Sequence, residues 1–157
     1  MKILSNPWTE VPGYNCFGCC EKNPLGLKMK FIEESDHIRS EWIANSNFQG
    51  YHNVLHGGIQ ASLMDEIAGW TIFVKANTGG VTSRLEVKYK KPVVLDERPI
   101  VLKCFLVEIS RRIAKLKVEL YNSKGELCSI AEADYFVLSP EQAKEKFSFP
   151  GKESFYK

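Results

Sequence analysis

No apolar run in this chain approaches the roughly 20 residues that a membrane-spanning helix needs. Charge of one sign is not in excess either: 21 Lys and Arg stand against 19 Asp and Glu, a net +2. A nucleic-acid footprint made by bulk positive charge is therefore not expected. Glycine-rich phosphate loops of the P-loop or dinucleotide type are missing, so any nucleotide would be held on the surface. The first residues, M-K-I-L-S-N-P-W, have no sustained apolar stretch, so no secretory leader is expected. The five cysteines are Cys16, Cys19, Cys20, Cys104 and Cys128. An odd count without a leader favours free thiols in a reducing, cytoplasmic setting. Cys16 and Cys19 have the spacing of metal ligands, but no second cysteine pair or histidine pair follows. Asn23, Pro24 and Gly26 after them spell a loop, not the helix of a redox motif. Structural thiols are the expectation, with no metal and no cofactor.

The composition that remains is that of an ordinary folded domain, 44% hydrophobic and 25% charged over 157 residues. One domain over residues 1–157 follows from that length. Its organising stretch is Asn53 to Val74. Ile59, Leu63, Ile67, Trp70 and Val74 recur at steps of three and four, which is one apolar helical face. Gly57 and Gly58 stand where that helix begins. The first N–H groups of a helix lack partners within it, and glycine lets another molecule approach them closely. Asp65 is rotated about 200° from Leu63, at roughly 100° per residue. It thus sits mid-helix among Ala61, Ser62, Ala68 and Gly69, on a face suited to a second helix or a ligand.

The rest of the chain reads as strands. Residues 1–26 are irregular, with three prolines and three glycines. Leu27 to Glu33 and Ile38 to Ala44 alternate as a strand pair, and Asn45 to Leu55 is a polar loop. After a stop at Asn77–Gly80 come Thr82 to Lys91, Ile100 to Ser110, Ile113 to Tyr121 and Leu127 to Leu138. Arg111 and Arg112 form a hairpin turn. Ser139 and Pro140 start a short helix, and the tail to residue 157 reads as loose beyond Phe147. The fold class is α+β: about six strands in one curved antiparallel sheet around one central helix. One helix covers little sheet, so a second copy of the chain is expected on the small-residue face, as a homodimer or a dimer of dimers.

H-G-G-I-Q-A-S-L-M-D-E, residues 56–66, resembles the signature of the hotdog-fold acyl-CoA thioesterases, in the branch that includes the phenylacetate-pathway (PaaI-like) enzymes. G-V-T-S-R-L-E-V-K-Y-K-K-P-V is similar to the strand after that family's helix. C-F-G-C-C-E-K-N-P-L-G-L-K-M-K-F resembles one subgroup. The resemblance spans most of residues 14–138. It implies the hotdog fold and an acyl-CoA partner. It also implies a site at a dimer interface, with turn glycines from one chain and the helix carboxylate from the other.

Thioester hydrolysis needs a stabilised carbonyl oxygen and an activated water or a nucleophile. Gly57 and Gly58 are the candidate oxyanion donors. Asp65 is the candidate base or nucleophile, two roles the sequence leaves open. Glu66 is the rival carboxylate. Thr82, counted back from Pro92, matches the family position that often holds the water or the carboxylate, while adjacent Ser83 points to the opposite sheet face. His56 either orients the turn or touches the thioester oxygen. Some relatives carry Asn or Gln six residues earlier, where Gly50 stands here. Gln49 or Asn53 is the nearest substitute. Arg84, Lys90, Arg111 and Arg112 are candidate partners for coenzyme A phosphates. Two rival functions share the fold: a non-catalytic acyl-CoA or fatty-acyl binding protein, and a dehydratase. Dehydratases usually carry a histidine on the helix, and this helix interior has none.

Overall fold

Gly57 and Gly58 interrupt the loop and open a 19-residue helix, α1 (Gly57–Lys75). Leu63, Ile67, Trp70 and Val74 are buried, as their period dictates, while Ile59 is only half-buried. Met64, Ala68 and Ile72 are buried as well, so the covered arc is wider than the stripe. Past the helix end Asn77 adopts φ 52, the left-handed conformation that ends helices.

The computed structural model describes residues 1–156. Its strands are β1 (Lys2–Ile3), β2 (Ile32–Glu33), β3 (Ile38–Trp42), β4 (Gly80–Tyr89), β5 (Ile100–Ser110), β6 (Ile113–Tyr121) and β7 (Leu127–Val137). They form one sheet in the order β1-β2-β3-β5-β6-β7-β4, antiparallel at every pairing. The helix lies on β3 to β7. Ile38, Trp42, Leu102, Cys104, Leu116, Val118, Ala131 and Ala133 alternate inward and close the core. Truncating a fully buried residue such as Leu63 or Ile67 to Ala would cost about 2–5 kcal/mol. This is the hotdog architecture.

Three elements depart from the sequence expectation. The N-terminal segment, expected to be irregular throughout, contributes a short strand, β1, to the edge of β2, which makes seven strands among the described residues where about six are expected. The strand expected over 27–33 is only two residues long. Its alternation holds, with Leu27, Met29 and Phe31 buried, but Lys28 takes φ 56 and breaks the ladder. Leu27 and Met29 donate instead to the carbonyls of Phe17 and Gly18, and Trp42 Nε1 and Ser40 Oγ donate to the carbonyls of Leu27 and Lys30.

The third departure is the C-terminal tail, which is packed and not loose. Helix α2 (Pro140–Phe147) begins with a capping box between Ser139 and Gln142, as its residues suggest. The chain then turns at Pro150–Gly151, with Gly151 at φ 90, and buries Phe149 and Phe155 against Phe73. Trp8 joins them from the N-terminal segment, 5.0 Å from Phe73 and 5.4 Å from Phe155. Both terminal segments therefore pack on α1 around Phe73. No helix among the described residues is long and apolar enough to cross a membrane.

Candidate active site

Asp65 projects from the middle of α1 toward the ends of β4 and β7. Thr82 on β4 and Tyr135 on β7 are direct cross-strand partners. Both hydroxyls donate to Asp65 Oδ1, each at 2.7 Å. The Tyr135 hydroxyl also lies 2.7 Å from the Asp65 carbonyl oxygen. Burial, reinforced by the Asp65 charge, pushes the Tyr135 phenol far above its usual range, so it stays a neutral donor. The register shifts between Thr82 and Arg84, a β-bulge that leaves Ser83 outside the ladder. Ser83 turns away from Asp65, its hydroxyl donating to the Asp134 carbonyl at 2.9 Å. Sequence reasoning missed Tyr135. A signal was there: it is the one polar-tipped side chain alternating inward after Ala131 and Ala133, and a buried tyrosine hydroxyl needs a partner.

At the helix start the structure corrects one donor. The Gly58 N–H donates to His56 Nδ1 at 2.9 Å, so His56 is the N-cap and occupies that amide. The Gly57 N–H has no partner among the described residues. The Tyr89 hydroxyl donates to the Gly57 carbonyl at 2.7 Å, and a Cβ at Gly57 would meet the Tyr89 ring at 3.4 Å. Asp65 lies eight residues beyond Gly57, about 12 Å along the axis. One chain therefore does not place both groups on one carbonyl.

The basic candidates separate. Arg84 is committed to carboxylates: its Nε donates to Asp134 at 2.9 Å, and Glu86 and Glu132 lie at 3.5 and 3.6 Å. Its guanidinium is thus already paired with carboxylates of the sheet in this structure. Arg111 and Arg112 are exposed at the β5–β6 turn, beside the row that carries Thr82 and Tyr135. Exposed Lys90 follows Tyr89 at the Gly57 end. Asn53 shapes the loop, with φ 60, its N–H on Gln49 Oε1 and its carbonyl on the Leu95 N–H.

A pocket of about 430 Å³ opens at Asp65, Thr82 and Tyr135, walled by the aromatic rings of Trp8, Trp70 and Phe73. A larger depression, about 590 Å³, lies between the 24–28 loop and the end of β3, away from this carboxylate. Glu66 lines the pocket too, but its carboxylate turns toward the N-terminal segment. It accepts from Trp70 Nε1 at 3.2 Å and lies 3.7 Å from Cys16 Sγ. Burial, with the Cys16 charge beside it, pushes the Glu66 carboxyl up to about 7. The Cys16 thiol is lowered to about 5 by its hydrogen bond with Cys19, aided by backbone N–H groups of Cys19 and Gly18. The fold thus supplies a third potential metal ligand that the spacing of Cys16 and Cys19 did not reveal: one atom each from Cys16, Cys19 and Glu66 lies within 4.8 Å of the others.

Set beside known proteins, the sheet, helix and glycine turn define a thioesterase-type hotdog domain. The model of the thioesterase superfamily matches residues 52–129 of this chain. A Thermoplasma acidophilum protein named as an esterase is 21% identical over 114 residues, 72% of this chain and 84% of that one. A solved thioesterase superfamily protein is 24% identical with a TM-score of 0.68. It is longer: the match covers 74% of this chain and 57% of that one. A hypothetical thioesterase of Streptococcus pneumoniae TIGR4, solved with coenzyme A, is 21% identical with a TM-score of 0.66. There the match covers 71% of this chain and 90% of the other. The same protein has been solved as an Asp→Ala and as a Thr→Ala variant.

Proposed function

We propose that this chain hydrolyses acyl-CoA thioesters to the free acid and coenzyme A, as its resemblance to the PaaI-like branch implies. The observation that carries this reading is the Asp65 carboxylate, one oxygen fixed by the Thr82 and Tyr135 hydroxyls at the mouth of a pocket. Oδ2 is the oxygen left for chemistry. It takes the proton of a water that attacks the thioester carbon, or attacks that carbon itself to give an anhydride that water then opens. The carbonyl oxygen gains negative charge in either case. The Gly57 N–H at the positive end of α1 stabilises it. The thiolate of coenzyme A leaves without strong acid help.

Asp65 and Gly57 of one chain are too far apart for one carbonyl, so the site is completed by a second copy. β4 ends the sheet with its outer edge unpaired over ten residues, and Val81 and Tyr89 on it are about half exposed. Arg111, Arg112 and Lys90 at its two ends are the candidates for coenzyme A phosphates.

A thiol-release assay across short, medium, long and aromatic acyl-CoAs tests this reading. Turnover of at least one class is expected, and the aromatic pocket wall favours medium or aryl groups. Binding of acyl-CoA without turnover would establish the binding-protein alternative. Single-turnover hydrolysis in heavy-oxygen water separates the two roles of Asp65. If the anhydride opens at its Asp65 carbonyl, the label enters Asp65 and the free acid carries none from water, whereas a base leaves Asp65 unlabelled and the label in the free acid.

A further inference from the structure

We propose that Cys16, Cys19 and Glu66 form a binding site for one thiophilic divalent metal ion, zinc first, with its fourth coordination position facing the pocket. The proposal does not rest on the thioesterase reading. Two sulfurs and a carboxylate oxygen are a donor set that zinc accepts, and three protein ligands leave one position open. The spacing suits the ion. Zinc–sulfur bonds near 2.3 Å and tetrahedral angles put coordinated atoms about 3.6–3.8 Å apart. Cys16 Sγ already lies 3.7 Å from each Glu66 oxygen, and all three ligand atoms lie within 4.8 Å of one another.

The surroundings are those of bound thiolates and not of inert core thiols. The Tyr14 hydroxyl lies 2.9 Å from Cys19 Sγ and Asn6 Nδ2 lies 3.6 Å from it. Asn6 Nδ2 also donates to the Tyr14 oxygen at 2.9 Å. Trp70 Nε1 holds one Glu66 oxygen at 3.2 Å, leaving Oε2 as the ligand. Such outer donors orient ligands and tune the metal they hold. Gly18 is part of the same construction: a Cβ there would lie 2.2 Å from the Glu66 carboxylate.

The test loads the reduced full-length protein with zinc, removes the excess, and measures metal per chain by elemental analysis. The expected result is close to one equivalent, lost in Cys16→Ser and weakened at least tenfold in Glu66→Gln. Cobalt loading of the unaltered protein gives a second readout that needs no variant. Sulfur-to-cobalt charge-transfer absorption of tetrahedral type is expected. No retained zinc together with no such absorption overturns the proposal. So does zinc that survives both substitutions, or a Cys16–Cys19 disulfide that forms in place of metal uptake.

Discussion

Two hydroxyls on one carboxylate oxygen leave the other oxygen to the substrate. On the proposed function Thr82 and Tyr135 orient Asp65, so removing either should slow turnover more than it weakens binding. Tyr135→Phe keeps the ring in the core and deletes only the donor. Its kcat is expected to fall roughly tenfold with KM little changed, and its stability to fall by about 1 kcal/mol. Steady-state kinetics beside a urea titration reads both. An unchanged kcat would show that the hydroxyl only fills space. Asp65 and Thr82 were legible in the sequence because each lies at a fixed offset from a strong local signal, the helix period and Pro92. Tyr135 was not, because its partner lies 70 residues away and only the register of β7 on β4 joins them. Glu66 was legible as a carboxylate but not as a neighbour of Cys16, since the N-terminal loop that brings Cys16 there carries no periodic pattern.

At the scale of elements, the start of α1 and the closure of its end are separate devices. His56 caps the first turn, and His56→Ala should cost about 1 kcal/mol in chemical denaturation. A catalytic role for His56 would instead show as lost turnover with unchanged stability. At the far end, Glu33 on β2 ties three segments together. It accepts from Lys75 at 3.1 Å and from the Tyr156 hydroxyl at 2.8 Å, with Lys152 at 3.9 Å. Burial opposes its ionisation, but Tyr156 and Lys75 outweigh burial and hold the carboxyl below its usual value. A depressed folded pKa contributes stability that is present above the unfolded value near 4.5 and is lost as pH falls through the folded value. Glu33→Gln should therefore lower the melting temperature at pH 7 and flatten the acid limb below about pH 4.5. An acid limb identical to the unaltered protein's would remove Glu33 from this account. The long elements were legible because β5, β6, β7 and α1 each run nine residues or more and alternate or repeat over much of that length. β2 was overextended because burial alternates through Leu27, Met29 and Phe31, while the bonds of that backbone go to side chains and loop carbonyls.

For the molecule as a whole, the proposed function calls for a second copy, on the distance along α1 from Gly57 to Asp65 and the edge position of β4 among the described strands. Sedimentation at micromolar concentration should show a species of at least twice the 17.9 kDa chain. A single 17.9 kDa species that is fully active would separate the chemistry from the partner and break the shared-site account. The hotdog arrangement itself was legible from the order of one long helix among paired strands. The packing of both termini over Phe73 was not, because isolated aromatics in irregular segments do not announce their contacts. The central claim is that the Asp65 carboxylate performs the chemistry, and one substitution tests it most directly. Asp65→Asn keeps size and hydrogen-bonding capacity and removes the charge. With circular dichroism and sedimentation unchanged, kcat/KM for the best acyl-CoA is predicted to fall by roughly two to four orders of magnitude. Hydrolysis at a rate near that of the unaltered protein would contradict the account.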